Sequence, residues 1–291
     1  MKYPSLFACL AVLAATGCGT SSDAPHAAYF APDEDRLHFE VEGQGFPLIL
    51  IGGGSGMDSR QWAYVAPALA QSYRVIRYEP RGVGQSDNPT VKYSDTADLD
   101  SLLEHLQLEQ VGLIGVSSAG GFALEFAVQY PDRVAGVVAA APFVPGFEFS
   151  ESMMERINRF SEAAQQGREP YLDQMLGDPY FIPAPLDQAV RLSARTFMAE
   201  QFDKGAGFDP GLPIPLSPPL IEQLSNISSP VLLLAGGLDH PEVLRRNKYL
   251  LTQIPSAEER MIDQAGHNAP LENPDAFLDA IHSFLLAIVP Q

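Results

Sequence analysis

The pentapeptide Gly115-Val116-Ser117-Ser118-Ala119 stands where a short apolar run, Val111 to Ile114, gives way to a helix-patterned stretch beginning near Ala119. A buried strand that passes straight into a helix leaves room for only one sharp turn, and a serine on that turn is lifted clear of the sheet. Because strand and helix approach closely there, the residues two before and two after the serine must be small. For Ser117 these are Gly115 and Ala119; for Ser118 they would be Val116 and Gly120, and Val116 is too bulky. Ser117 is therefore the candidate nucleophile, with a helix N-cap as the plainer alternative. A Gly-X-Ser-X-small string arises by chance about once in three chains of this composition, so the context has to carry the motif.

That context is an alternation of strands and helices, which points to an α/β sheet. Leu37 to Glu42 alternates with period two, and Leu48 to Ile51 is a continuous apolar run suited to a buried strand. Gln61 to Gln71 has helical spacing despite Pro67, and Tyr73 to Tyr78 is the next strand. Ser94 to Leu108 reads as a helix with Ser94 as its N-cap, Ala119 to Tyr130 as the helix after the serine, and Val134 to Ala140 as a further strand. After a long break the alternation resumes with strand Pro230 to Ala235, a helix around Val243 to Gln253, a strand near Arg260 to Ile262 and a final helix, Pro274 to Ile288.

The break, residues 143–221, far exceeds an ordinary connection. Met153, Ile157, Phe160 and Ala164 predict one amphipathic helix in it, Leu186 to Gln201 a second, and Asp209 to Pro219 a proline-rich return. We read it as an inserted helical cap on a core made of residues 36–142 and 222–291. Met153, Met154, Phe160, Tyr171, Met175, Tyr180, Phe181, Phe197 and Met198 are its candidate pocket-lining side chains, although such spacing also suits plain core.

Of the 291 residues 46% are apolar, enough for a sizeable core, and the formal net charge is -18. Such a chain repels phosphate backbones, which excludes nucleic acid as a partner. The two cysteines, Cys9 and Cys18, both lie at the amino terminus, so the body holds no disulfide, cysteine nucleophile or thiolate metal site.

Lys2 precedes a twelve-residue, mostly apolar run, Leu6 to Gly17, which suits a signal segment over residues 1–17 and is too short to span a bilayer. Ala15-Thr16-Gly17-Cys18 resembles the lipobox of bacterial lipoproteins, and the resemblance implies that Cys18 is acylated and becomes the mature amino terminus. Ala15 departs from the more usual leucine, which leaves ordinary secretion as the alternative. Residues 18–35 then read as lipid attachment and tether, a flexible segment with an r.m.s. span of about 20 to 25 Å. The expected location is the cell envelope, with the membrane engaged through the lipid.

A nucleophilic serine needs a base and a group that orients the base. His267 alone among the histidines sits in a glycine-flanked loop, Ala265-Gly266-His267-Asn268, after a late strand. Asp239 follows the strand Pro230 to Ala235 through Gly236-Gly237-Leu238 and emerges at the same sheet edge, with a helix N-cap as its plainer role. Ser117, Asp239 and His267 occur in the order of a Ser-Asp-His hydrolase. Gly52-Gly53-Gly54-Ser55-Gly56 follows strand Leu48 to Ile51, where glycines let backbone N–H groups approach a ligand. We expect the N–H groups of Gly54 and Ser118 to form the oxyanion hole. No Gly-Lys-Ser/Thr and no dinucleotide spacing follows, so a phosphate cradle is disfavoured.

These pieces, together with YEPRGVGQSD (Tyr78 to Asp87) and AGHNAPLENPDAF (Ala265 to Phe277), resemble the α/β-hydrolase superfamily from about Arg36 to Leu286. The resemblance implies an eight-stranded, mostly parallel sheet flanked by helices with a helical cap. It also implies Ser117 as nucleophile, Asp239 as acid, His267 as base and Gly54 with Ser118 as oxyanion donors, with no cofactor and no metal. Two departures are Gly52-Gly53 in place of His-Gly, which bears on the shape of that loop, and Ala119 in place of glycine. A serine rather than an aspartate nucleophile argues against haloalkane dehalogenase and epoxide hydrolase chemistry. The expected substrates are small carboxylic esters or lactones. A proline-iminopeptidase-like amidase, a carbon-carbon bond hydrolase and a non-catalytic binding lipoprotein of the same fold are the alternatives, and the oligomeric state is open.

Overall fold

The computed structural model describes residues 25–183 and 188–289. Cys9, Cys18 and the signal-like run lie outside the described residues. Eight strands form one sheet: β1 (His26–Phe30), β2 (Leu37–Glu42), β3 (Pro47–Ile51), β4 (Arg74–Tyr78), β5 (Val111–Val116), β6 (Val134–Ala140), β7 (Val231–Gly236) and β8 (Ala257–Ile262). Their spatial order is β1-β2-β4-β3-β5-β6-β7-β8. β1 with β2 and β2 with β4 run antiparallel, and every other pair is parallel.

The continuous apolar runs are strands covered on both faces. Ile49, Ile51, Leu113, Val137 and Leu233 point into one core layer, whereas Leu48, Leu50, Ile114, Val138 and Leu232 point into the other, as the two-residue period of a strand requires. Helices α2 (Asp95–His105), α3 (Ser118–Gln129) and α7 (Pro241–Gln253) cover the first face. The one-turn helix α1 (Ala66–Leu69) and the terminal α9 (Pro274–Ile288), with Trp62, Phe277, Ile281 and Phe284, cover the second. Residues 143–221 contain α4 (Glu151–Gln166), α5 (Arg168–Leu176) and α6 (Gln188–Gly205), and α8 (Ala269–Glu272) follows β8.

The structure departs from the sequence reading at several places. The segment expected to be tether becomes strand at His26, because backbone pairing from His26↔Val41 to Phe30↔Leu37, anchored by Phe30 against Phe39, suffices for an edge strand. The helix expected over Gln61 to Gln71 is instead a 3-10 turn, Ser59–Trp62, followed by α1. Pro67 has no N–H to donate, so a helix can contain it only in its first turn. Helix α5 follows α4 after one residue, Gly167, whose φ of 119° suits glycine. The proline-rich return has no regular structure, but it docks on Tyr93, whose N–H donates to Leu212 O and whose carbonyl accepts from Ile214 N. Among the described residues no helix is long and apolar enough to cross a membrane.

Arg81, in the loop after β4, ties the β1–β2 turn to α2. Its guanidinium is 1% exposed and pairs with Asp98 of α2 at 2.7 Å, Asp35 at 2.5 Å and Asp33 at 2.8 Å, the last two from the β1–β2 turn. Removing one partner of a buried cluster leaves the others as uncompensated charges. Arg81→Met is expected to cost about 3 to 5 kcal/mol in urea denaturation at neutral pH, and a loss under about 1 kcal/mol would show that the cluster is not a keystone.

Candidate active site

Ser117 sits between β5 and α3 with φ 56° and ψ -119°, a conformation that costs a non-glycine residue about 1 to 3 kcal/mol. Hydrogen bonds hold it there. Its N–H donates to Ala140 O at 2.8 Å, and its carbonyl accepts from Gly121 N at 3.0 Å and Phe143 N at 2.8 Å. The small neighbours are obligatory: a Cβ on Gly115 would lie 2.4 Å from Ala119 O, and one on Gly121 would lie 1.9 Å from Phe143 O. Although Ser117 occupies the N-cap position, its side chain makes no capping hydrogen bond. Ser118 is the first residue of α3, and its hydroxyl donates to Gly53 O at 3.3 Å.

Asp239 and His267 come together because the turns after β7 and β8 run in contact. Gly237 N donates to Ile262 O and Leu238 N to Ala265 O, and a Cβ on Gly236 would lie 2.1 Å from Gly266 O. His267 Nδ1 is 2.8 Å from Asp239 Oδ2, with the Asp239 side chain 1% exposed. Asp239 Oδ1 accepts from His240 N at 2.6 Å, and it is His240, not Asp239, that caps α7. A carboxylate only accepts, so the ring is held with its proton on Nδ1 and its lone pair on Nε2.

Two contacts not anticipated from sequence fix the histidine loop. Glu272 of α8 accepts from Gly266 N and from Asn268 N, both at 2.8 Å, and so grips the backbone on either side of His267. Burial pushes its carboxyl up to about 7 despite those two hydrogen bonds. From the other side, His267 N donates to Tyr180 O at 3.1 Å, and the Phe181 ring lies 6.1 Å from the imidazole. Asp178 shapes that segment by accepting from Tyr180 N and Phe181 N while pairing bidentately with Arg156 of α4.

Ser117 and His267 line one cavity of about 270 Å³. Its walls include Met153, Phe160, Met175 and Phe181 from the cap candidates, joined by Phe143, Phe149 and Ile157 and by two arginines, Arg156 and Arg246. The other cap candidates serve elsewhere. Met154 is largely exposed, Tyr171 packs on Phe202, Tyr180 on His240, and Phe197 under Arg60, while Met198 belongs to the cap's own core. Gly53, Ser118, Ala119 and Phe122 line a second cavity of about 430 Å³.

Gly54 opens a 3-10 turn directly over the end of β5, where a Cβ would lie 2.1 Å from Val116 O. The glycine-rich loop is thereby seated on the elbow, with Gly53 at φ 97°. Gly54 and Ser118 are each the first residue of a helical turn, so neither N–H has an acceptor within its own helix, and the α3 dipole adds positive potential.

The strand order, the elbow and the cap's position decide the fold, and a family model for the α/β hydrolase fold matches residues 47–178. The chain has the α/β-hydrolase fold. Among related α/β hydrolases, the 2-hydroxy-6-oxononadienedioate/2-hydroxy-6-oxononatrienedioate hydrolase of Escherichia coli K12 is 26% identical over 266 residues, 86% of this chain and 91% of that protein. Of solved structures, a thermophilic esterase from Thermogutta terrifontis superposes with a TM-score of 0.75 at 24% identity, over 91% of this chain and all of that one. An enol-lactonase from Burkholderia xenovorans does so with a TM-score of 0.73 at 23% identity, over 89% of this chain and 100% of the other.

Glu272 makes a pH signature available. Its native carboxyl titrates near 7 and its unfolded value is 4.5, so its contribution to stability is complete below pH 4.5 and is lost as pH rises through 7. Urea denaturation should show wild type losing on the order of 2 to 3 kcal/mol relative to Glu272→Gln across that window. A pH-independent difference would refute the burial of that charge.

Proposed function

We propose that this protein is a serine hydrolase that cleaves carboxylic esters or lactones through an acyl-enzyme on Ser117. The observation that carries the reading is the strained, uncapped Ser117 sharing one cavity with a histidine whose Nδ1 is held by a buried aspartate. With Nδ1 committed to Asp239, Nε2 takes the Ser117 proton as Oγ attacks the carbonyl, and Asp239 stabilises the imidazolium. The protonated ring then hands that proton to the leaving alkoxide. Water then enters, gives a proton to Nε2 as its oxygen bonds to the acyl carbon, and the C–Oγ bond breaks with that proton passing from Nε2 to Ser117 Oγ, which frees the acid and restores the serine. We assign the Gly54 and Ser118 N–H groups, each without an acceptor in its own helical turn, to the charge that develops on the carbonyl oxygen, where such a donor is worth about 3 to 4 kcal/mol.

The esterase and enol-lactonase neighbours support this chemistry. The Escherichia coli relative favours a second reading, hydrolysis of a carbon-carbon bond by the same residues. A ring-fission dienoate substrate offered beside simple esters separates the two. The amino-terminal pattern supports a further proposal, that Cys18 is acylated and holds the enzyme at the cell envelope.

Ser117→Ala is expected to lower ester hydrolysis by a factor on the order of 10⁴ or more and to abolish fluorophosphonate labelling, with the label on Ser117 in wild type by peptide mass spectrometry. A label on Ser118 would move the nucleophile, and no label at all would make the protein a binder. Cys18→Ala should shift the protein from the membrane to the soluble fraction of an expressing bacterium; equal partition would overturn the anchor.

A further inference from the structure

The cavity beside Ser117 is apolar except for Ser117, His267 and two arginines, and the two arginines differ. Arg156 is matched: Asp178 accepts from its Nε and Nη2, both at 2.9 Å, and its guanidinium lies over the Phe160 ring. Arg246, on α7 behind the Asp239 turn, is 2% exposed and has no such partner. Its Nη2 donates to Ala141 O at 3.1 Å, its Nε has no hydrogen-bond partner, and it forms no ion pair among the described residues. The neighbouring carboxylates are engaged elsewhere, Asp239 with His267, Glu242 with Arg245 and Asp178 with Arg156.

A buried guanidinium with no carboxylate in contact is costly: Asp239 and Glu242 act on Arg246 only from beyond ion-pair distance, which leaves its contact position at the cavity for a group that arrives with the ligand. Burial lowers its pKa to about 10, so it remains charged at neutral pH. A guanidinium fork with free N–H groups fits a carboxylate. We infer that Arg246 binds a carboxylate of the substrate, and that the preferred substrate is an ester or lactone carrying a second, anionic carboxyl group, such as a dicarboxylic acid monoester. The inference rests on Ser117 being the nucleophile. It assigns Arg246 to specificity: the carboxylate anchors one end of the substrate, and the apolar walls from Phe143, Phe149 and Met153 embrace the chain between that anchor and the scissile carbonyl.

The test uses the full-length protein and pairs of ethyl esters: monoethyl esters of the straight-chain dicarboxylic acids from succinate to suberate, each against the ethyl ester of the monocarboxylic acid of the same carbon number. Wild type should prefer the acidic member of at least one pair in kcat/KM. Arg246→Met should reduce that acidic-to-neutral ratio by about tenfold to a hundredfold, and Arg246→Lys should restore part of it. A structural role for Arg246 would lower both members alike and leave the ratio unmoved. No preference in wild type, or a ratio unchanged in Arg246→Met, overturns the inference. Binding separates this from the hydrolase reading: by calorimetry Ser117→Ala should bind free dicarboxylates and the Ser117→Ala/Arg246→Met double variant should not. If fluorophosphonate fails to label Ser117 while this difference in binding holds, the anion site stands without the hydrolase; labelling without dicarboxylate binding to Ser117→Ala overturns the anion site alone.

Discussion

The hydrogen bonds at the backbone of Ser117 are the constraint on which the site depends. Its N–H reaches across to the end of β6 at Ala140, and its carbonyl receives two donors, one from the first turn of α3 and one from the loop at Phe143. A single serine at φ 56° would relax by flipping its peptide. It persists because relaxation would forfeit three hydrogen bonds in a buried setting, each worth about 1 kcal/mol net and more if left unpaired. The same three bonds fix where everything else must go. They bring β6 and its following loop against the elbow, which places Phe143 in the cavity wall, and they force glycine at positions 115 and 121.

Much of this could be read from residues alone, for definable reasons. The elbow was legible because steric crowding acts over four consecutive positions, and Asp239 and His267 because glycine-containing loops after apolar strands mark one edge of a sheet. Arg246 was not: it lies in a Leu-Arg-Arg run of a helix where Arg245 next to it is half exposed, and only the fold shows which of the two turns inward. Glu272 was hidden for a related reason, since its partners are backbone N–H groups that have no sequence signature. The edge strand β1 and the broken helix around Pro67 were misread because pairing and proline chemistry overrode local pattern.

The cap does more than cover the cavity. The Asp178 carboxylate simultaneously pairs with Arg156 of α4 and accepts two backbone N–H groups from the segment whose Tyr180 carbonyl holds His267. Those two N–H groups and Arg156 together keep the Asp178 carboxyl below its ordinary range against the effect of burial. The histidine loop is therefore gripped from the core by Glu272 and from the cap by Tyr180. A Cβ on Gly266 would lie 2.4 Å from Pro183 Cδ and 2.7 Å from Tyr180 O, so the two grips close on a position that only glycine fits. Lifting this part of the cap would release the His267 loop, so on the proposed chemistry a substrate would have to reach Ser117 without displacing residues 178–183.

Charge completes the picture. A chain of formal net charge -18 surrounds itself with a potential that disfavours anions, yet Arg246 puts a positive charge without an ion-pair partner at the wall of an apolar cavity. The long-range field is screened over about 8 to 10 Å in physiological salt, whereas a buried guanidinium acts in a low-dielectric surround that salt does not reach. Recognition of an anionic substrate would thus be decided at contact and not during approach. For a small molecule that trade is acceptable, because diffusion to a repelling surface slows encounter only modestly, while a correctly paired carboxylate fixes the register of the scissile bond against Ser117.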